Sequence, residues 1–212
     1  MKLKQNSTLI FLGDSVTDCG RSPDGEWILG SGYPSLISTM FRLRYPQASV
    51  RFLNKGTSGD QTRHVLARLQ QDVLDCRPDY VTLLIGINDV WRFFDHPHSG
   101  AGVSDKEYRQ NLQKIIEPLL ANGTKVLLMT PYMIDTSEKE PMRTKMLEYA
   151  DICKEIASQY QLEVLELQPV FETLLEKGIT SYELSGDRIH PSLMGHMAIA
   201  DALIERLVPA DR

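Results

Sequence analysis

A chain of 212 residues, 42% hydrophobic and 24% charged, is long enough for one domain with a sizeable core and has the composition of an ordinary globular protein. Its net charge of -5, with no lysine- and arginine-rich run, argues against a nucleic-acid partner. The polar stretch 1–7 and the four-residue apolar run after it are too short for a signal-peptide core or a membrane span. The three cysteines, Cys19, Cys76 and Cys153, are widely spaced and form no metal-type pair. Reduced thiols and a cytoplasmic location are therefore expected, with no membrane partner.

Short, near-continuously apolar runs alternate along the chain with longer segments of helical periodicity. The first run, 8–12, ends at Gly13-Asp14-Ser15. A long connection, 17–32, precedes a helix over 34–45. A strand over 50–53 leads into Asn54-Lys55-Gly56-Thr57-Ser58-Gly59 and a helix over 63–75. A third strand, 80–85, runs into Gly86-Ile87-Asn88-Asp89. A second long connection, 92–104, then precedes a helix over 105–121, which Asn122-Gly123 should stop. Strand 125–130 is followed by a helix over 141–160. Strand 163–167 is followed by Asp187-Arg188-Ile189-His190 and a closing helix over 191–207. In that helix Leu193, Met197, Ala200, Ile204 and Leu207 make one apolar stripe, and Pro191 suits the first turn. Five βα units predict a single domain over residues 1–212. Its expected form is an α/β three-layer α/β/α sandwich around a five-stranded parallel sheet in flavodoxin-like order.

Ser15 is expected at the carboxyl end of a buried strand, where open α/β sheets bind ligands. A serine hydroxyl is a poor nucleophile without a positioned base. Asp187 and His190, three apart on one short loop, supply a carboxylate for one imidazole nitrogen and leave the other to face the serine. Gly56 and Asn88 are candidate oxyanion donors, through a backbone N–H and a side-chain amide. Taken singly, each is an ordinary turn or strand-end residue. Together they follow four different strands of one predicted parallel sheet, so their placement favours a serine hydrolase site over coincidence.

These four blocks, Gly-Asp-Ser-Val, Gly-Thr-Ser-Gly, Gly-Ile-Asn-Asp and Asp-Arg-Ile-His-Pro, resemble those of GDSL-type esterases of the SGNH hydrolase superfamily. Val16 stands where the name-giving motif has leucine. The resemblance implies Ser15 as nucleophile, His190 as base and Asp187 as its orienter. The Ser15 N–H, the Gly56 N–H and the Asn88 side chain would form the oxyanion hole. The flanks resemble bacterial intracellular acetylxylan esterases more closely: Thr17-Asp18-Cys19-Gly20-Arg21 after Val16, Val90-Trp91-Arg92 after Asp89, Met129-Thr130-Pro131-Tyr132, Pro141-Met142-Arg143 and Pro191-Ser192-Leu193-Met194-Gly195-His196-Met197 after His190. That subgroup removes O-acetyl groups from xylan fragments, so the resemblance implies a small acetylated carbohydrate substrate and a homo-oligomer.

Asp14, Trp91, Arg92 and Tyr33 are the expected substrate-contacting residues, with Trp27 a further aromatic that can stack on a sugar. His196 and Cys19 are read as structural, and His64, His96 and His98 as surface histidines. No cofactor and no metal are expected. The alternatives within the superfamily are a lysophospholipase or thioesterase acting on longer acyl chains. A non-catalytic carbohydrate-binding module is disfavoured by four intact catalytic positions. An aspartate-based phosphatase would need a carboxylate where Val16 stands, and a dinucleotide-binding turn would need glycines that are absent.

Overall fold

The protein is described here by a computed structural model covering residues 1–22, 28–95, 100–137 and 139–209. A two-residue strand, β1 (Lys2–Leu3), pairs in parallel with β7 (Val208–Pro209), outside the main sheet. The main sheet contains β2 (Ser7–Gly13), β3 (Val50–Gly56), β4 (Tyr80–Leu84), β5 (Lys125–Met129) and β6 (Glu163–Leu165). All pair in parallel, in the order β3-β2-β4-β5-β6. This is the expected flavodoxin-like order, and its switch point lies between the first and third strands of the sheet.

Strand residues alternate between two cores because successive side chains point to opposite faces. Ile10, Leu12, Val81, Leu83, Val126 and Leu128 face one layer. It is built from α3 (Thr62–Asp72), α4 (Ile87–Asp95), α5 (Asp105–Ala121) and α6 (Pro141–Gln159). Leu9, Phe11, Tyr80, Leu84, Leu127 and Met129 face the other, built mainly from α2 (Tyr33–Arg44), α7 (Leu167–Glu176) and α9 (Leu193–Ile204). Two one-turn helices, α1 (Ser15–Asp18) and α8 (Ser181–Leu184), lie next to functional segments. Among the described residues no helix is long and apolar enough to cross a membrane.

Local chemistry sets the helix ends. Ser104 caps α5 by accepting from Glu107 N–H, and Asn122 with Gly123 (φ +76°) ends that helix as expected. Helix α4 occupies the start of the segment expected to be a loop over 92–104. Strand β6 is shorter than expected because Leu167, taken as strand, begins α7. The last helix departs most from expectation. Its cap is Ser192, which accepts from Gly195 N–H, so Pro191 stands outside it and bridges Ser185. Its buried face is Gly195, His196, Ile199, Ala200, Leu203 and Ile204, while Leu193 and Met197 are 69% and 45% exposed. Ala200, Ile204 and Leu207 of the expected stripe are buried, the last just beyond the end of the helix at Ile204, whereas Leu193 and Met197 face solvent.

Gly13 closes β2 where the backbone is most crowded. A Cβ there would lie 2.3 Å from the Leu84 carbonyl oxygen and 2.4 Å from Thr17 Oγ1. Gly13→Ala is expected to destabilise the fold by roughly 1–3 kcal/mol, the usual range for overpacking. Urea denaturation checks this, and an unchanged midpoint would show that the strand end can yield.

Candidate active site

Beyond Gly13 the chain turns at once into α1. Asp14 caps this turn, its carboxylate accepting from Val16 N–H at 3.0 Å. Ser15 is therefore the first helical residue, and its own N–H has no acceptor among the described residues. Its Oγ lies 2.9 Å from His190 Nε2. On the far side of the ring, His190 Nδ1 lies 2.6 Å from Asp187 Oδ2. The other carboxylate oxygen accepts from His190 N–H (2.7 Å) and Ile189 N–H (3.0 Å). Partial burial would raise the Asp187 pKa, but the bonds from the His190 ring and from these amides outweigh it and hold the carboxyl at about 2. An ionised Asp187 keeps the proton on Nδ1, so Nε2 accepts from the Ser15 hydroxyl.

The Asp187–His190 loop is braced from two sides. Ile134 N–H donates to the Arg188 carbonyl (2.8 Å) and Tyr132 Oη to that of Ile189 (3.2 Å). Arg188, with φ +72°, reaches back to Asp135 at 2.7 Å. Ser185 Oγ donates to the His190 carbonyl at 2.8 Å.

Asn88 is buried in the first turn of α4, directly after Gly86, whose φ of +133° turns the chain off β4. Its Nδ2 donates one hydrogen to the Asp60 carbonyl (3.0 Å), and its second hydrogen is left for a ligand. Asp60 is itself anchored by Arg68 (2.7 Å), which also donates to the Gly13 carbonyl (3.1 Å). Ser15 and Asn88 line one cavity of about 410 Å³ together with Gly59, Trp91, Arg92 and His190. The Trp91 ring lies 6.0 Å from that of His190, and Arg92 sits over Trp91 while ion-paired with Asp95.

Three expected site residues do not reach this cavity. Gly56 is the last residue of β3; its N–H donates to Asn54 Oδ1 (2.8 Å), and a Cβ there would lie 2.1 Å from Asp18 N. That amide is committed to Asn54 and Gly56 does not line the cavity, so it offers no oxyanion donor. The strand runs three residues past the expected end at 53, which makes Gly56 a strand residue. The glycine on the cavity is Gly59, in the turn closed by Asp60 N–H to the Thr57 carbonyl (3.1 Å). Its φ is +84°, no atom stands within 4 Å of where a Cβ would go, and its N–H has no acceptor among the described residues. Tyr33 is fully buried, with its hydroxyl on Thr17 Oγ1 (2.9 Å), and cannot touch a sugar. Asp14, next to Ser15, is buried and does not line the cavity. Trp27, His96 and His98 lie outside the described residues.

His196 and Cys19 line the cavity beside the triad geometry, with Cys19 Sγ 3.3 Å from His196 Nε2. Tyr33 N–H donates to His196 Nδ1 (3.3 Å), which puts the ring proton on Nε2. Burial, with a smaller contribution from His190, lowers the His196 pKa to about 4, so it stays neutral and is no rival base near neutral pH. Among the described residues no cluster of three or more His, Cys, Asp or Glu side chains could hold a metal ion.

Residues 11–198 match the model of the GDSL-like lipase/acylhydrolase family. An acetylxylan esterase of Geobacillus stearothermophilus is 37% identical over 215 aligned residues, spanning 98% of this chain and 96% of that protein. An arylesterase of Vibrio mimicus is 30% identical, over 94% of this chain and 88% of its own length. A crystal structure of the Geobacillus stearothermophilus acetylxylan esterase superposes with a TM-score of 0.92 at 36% identity, covering 97% of this chain and 95% of that one.

Burial pushes the Asp14 carboxyl up to about 7, opposed by the Val16 N–H bond and helped by the charges of Asp89 and Asp60. In the unfolded chain it ionises near 3.8. Between these values the unfolded chain has released a proton that the folded chain keeps, so this group makes stability fall as pH rises from about 4 to about 7. Asp14→Asn keeps the cap oxygen and is expected to flatten that part of the Tm profile. Parallel Tm profiles for the two proteins would show that Asp14 titrates normally.

Proposed function

As a member of the GDSL-like lipase/acylhydrolase family the chain is a carboxylic ester hydrolase, and we propose that it removes O-acetyl groups from carbohydrates, with acetylated xylo-oligosaccharides as substrates, through a Ser15–His190–Asp187 acyl-enzyme mechanism. The observation that carries the mechanism is the 2.9 Å approach of Ser15 Oγ to His190 Nε2, with Asp187 2.6 Å from the other ring nitrogen. The substrate class rests on the near full-length similarity to an acetylxylan esterase. Free Cys19, Cys76 and Cys153 support a cytoplasmic location.

In the proposed reaction Ser15 Oγ attacks the acetyl carbonyl carbon while His190 Nε2 takes its proton. The carbonyl oxygen becomes an oxyanion facing Ser15 N–H, Gly59 N–H and the second Nδ2 hydrogen of Asn88. These donors are held before the charge develops, and that is what makes them effective. The C–O bond to the sugar then breaks, and His190 returns the proton to the sugar oxygen. Water, activated by the same imidazole, attacks the acetyl-serine and releases acetate. Asp187 remains ionised and stabilises the imidazolium in both steps. Trp91, with Arg92 over its ring, offers a flat face at the cavity for a pyranose.

Acetate release from acetylated xylo-oligosaccharides is the direct test, with Ser15→Ala as the folded but inactive control. Hydrolysis of p-nitrophenyl acetate without release from the oligosaccharides would keep the esterase and remove the xylan substrate. A preference for octanoyl over acetyl p-nitrophenyl esters would move the chain to long acyl chains. Asn88→Ala is expected to lower kcat by ~10²- to 10³-fold, as loss of one oxyanion donor does elsewhere. A kcat equal to wild type would take Asn88 out of that role.

A further inference from the structure

We propose that Asp18 is a positioning residue for the oxyanion donors, latching the turn that carries Gly59 to the helical turn that carries Ser15. The proposal rests on the reading of Ser15, Gly59 and Asn88 as those donors. Oxyanion donors must stand at about 2.7–3.1 Å from one point in space, and displacements of an ångström are costly. Ser15 meets this demand easily, because it starts α1 directly after the buried end of β2. Asn88 meets it through its bond to the Asp60 carbonyl. Gly59 does not meet it by packing. It lies on an exposed turn beyond β3, in a left-handed conformation, with open space on its Cα side.

Asp60 holds the far side of Gly59, through its carbonyl on Asn88 Nδ2 and its carboxylate on Arg68, and the carboxylate of Asp18 supplies the restraint on the near side. Its Oδ2 accepts from both Ser58 N–H (3.0 Å) and Ser58 Oγ–H (2.8 Å), the residue immediately before Gly59. Asp18 closes the same helical turn that Ser15 opens, and its N–H donates to the Asp14 carbonyl at 2.8 Å. The path from one donor amide to the other therefore runs through a single turn of helix and one carboxylate. Asp18 does not line the cavity, whereas Ser58 and Gly59 do, so it acts through Ser58 and not on substrate.

The base of the Gly59 loop has separate supports. Asn54 Nδ2 donates to the Thr17 and Leu29 carbonyls (2.6 and 2.8 Å), and Arg21 Nε donates to the Gly56 carbonyl (2.5 Å). Losing Asp18 frees the Ser58 side of the turn and leaves Asp60 and the base of the loop in place, so the fold should persist.

The test uses p-nitrophenyl acetate kinetics on Asp18→Ala, Asp18→Asn, Ser58→Ala and the Asp18→Ala/Ser58→Ala pair, with Asn88→Ala alongside. Asp18→Ala is expected to lower kcat by about 10-fold or more, with KM and Tm little changed, as for an interaction realised in the transition state. Asp18→Asn keeps an acceptor oxygen and should recover most of the loss. The double variant should be no slower than Asp18→Ala alone, since both changes break one latch. Wild-type kcat in Asp18→Ala beside a large loss in Asn88→Ala would overturn the latch and leave the oxyanion reading standing. Wild-type kcat in both would overturn that reading and the latch with it. A loss confined to KM would make Asp18 a binding residue and overturn the proposal. Should Asp18→Ala not fold, Asp18→Ser, whose side chain is too short to reach Ser58, takes its place in the cycle with Ser58→Ala: fully additive losses would defeat the latch.

Discussion

Parallel pairing of β2 with both its neighbours sets Gly13 level with Gly56 on one side and Leu84 on the other. Three strands thus end together, and the residues just beyond those ends share one edge of the sheet. Ser15 stands two residues past its strand, Gly59 three past Gly56 and Asn88 four past Leu84. A slip in this register would not merely weaken the sheet. It would carry Ser15, Gly59 or Asn88 out of their shared cavity and turn the alternating core residues of the strand to the wrong layer. Gly13 and Gly56 are small because neighbouring backbone and side chains leave no room for a Cβ at either strand end.

Two carboxylates near the nucleophile have opposite environments, and their roles follow from this. Asp14 is buried with Asp60 and Asp89 nearby, and its carboxyl is held up near 7. It serves the fold by capping α1, where a hydrogen-bond acceptor is needed and a permanent charge is not. Asp187 is half-exposed and receives two backbone N–H bonds as well as the imidazole, and it is held down at about 2. It is the one that can remain an anion and balance charge on His190. Sequence order places Asp14 beside Ser15, but the environment gives the partnership with the base to a residue far along the chain.

The sheet, its order and most of its helices were legible because apolar runs and helical periodicity report burial directly. Ser15, Asn88, Asp187 and His190 could be singled out because each follows a strand or precedes a helix, where few other polar residues compete. What failed did so where exposure and backbone course decide. Leu193 and Met197 are apolar yet solvent-facing, so hydrophobic spacing alone extends the buried stripe of Ala200, Ile204 and Leu207 too far toward the start of α9. Tyr33 and Asp14 are polar enough to suggest a ligand, but Thr17 Oγ1 and Val16 N–H already satisfy them. Gly56 and Gly59 are three apart and chemically identical. Only the true length of β3 separates a covered strand residue from the one on the cavity. Asn54 and Lys55 are unusual strand residues, and the strand extends through them because Asn54 is buried and bonded to the carbonyls of the segment after Ser15.

The site joins two halves with different origins. Its Ser15, Gly59 and Asn88 half is built beyond three neighbouring strand ends and is brought to one edge when β3, β2 and β4 pair. Its base half arrives from the far end of the chain, on a loop between α8 and α9 that is 175 residues from Ser15. That loop reaches the serine only when α9 packs on α2 and the Asp187–His190 turn locks against Tyr132, Ile134 and Asp135. Ser15 and His190 therefore meet through tertiary contacts alone. The contacts that hold this loop, Arg188 on Asp135 among them, lie outside the cavity that Ser15 and His190 share.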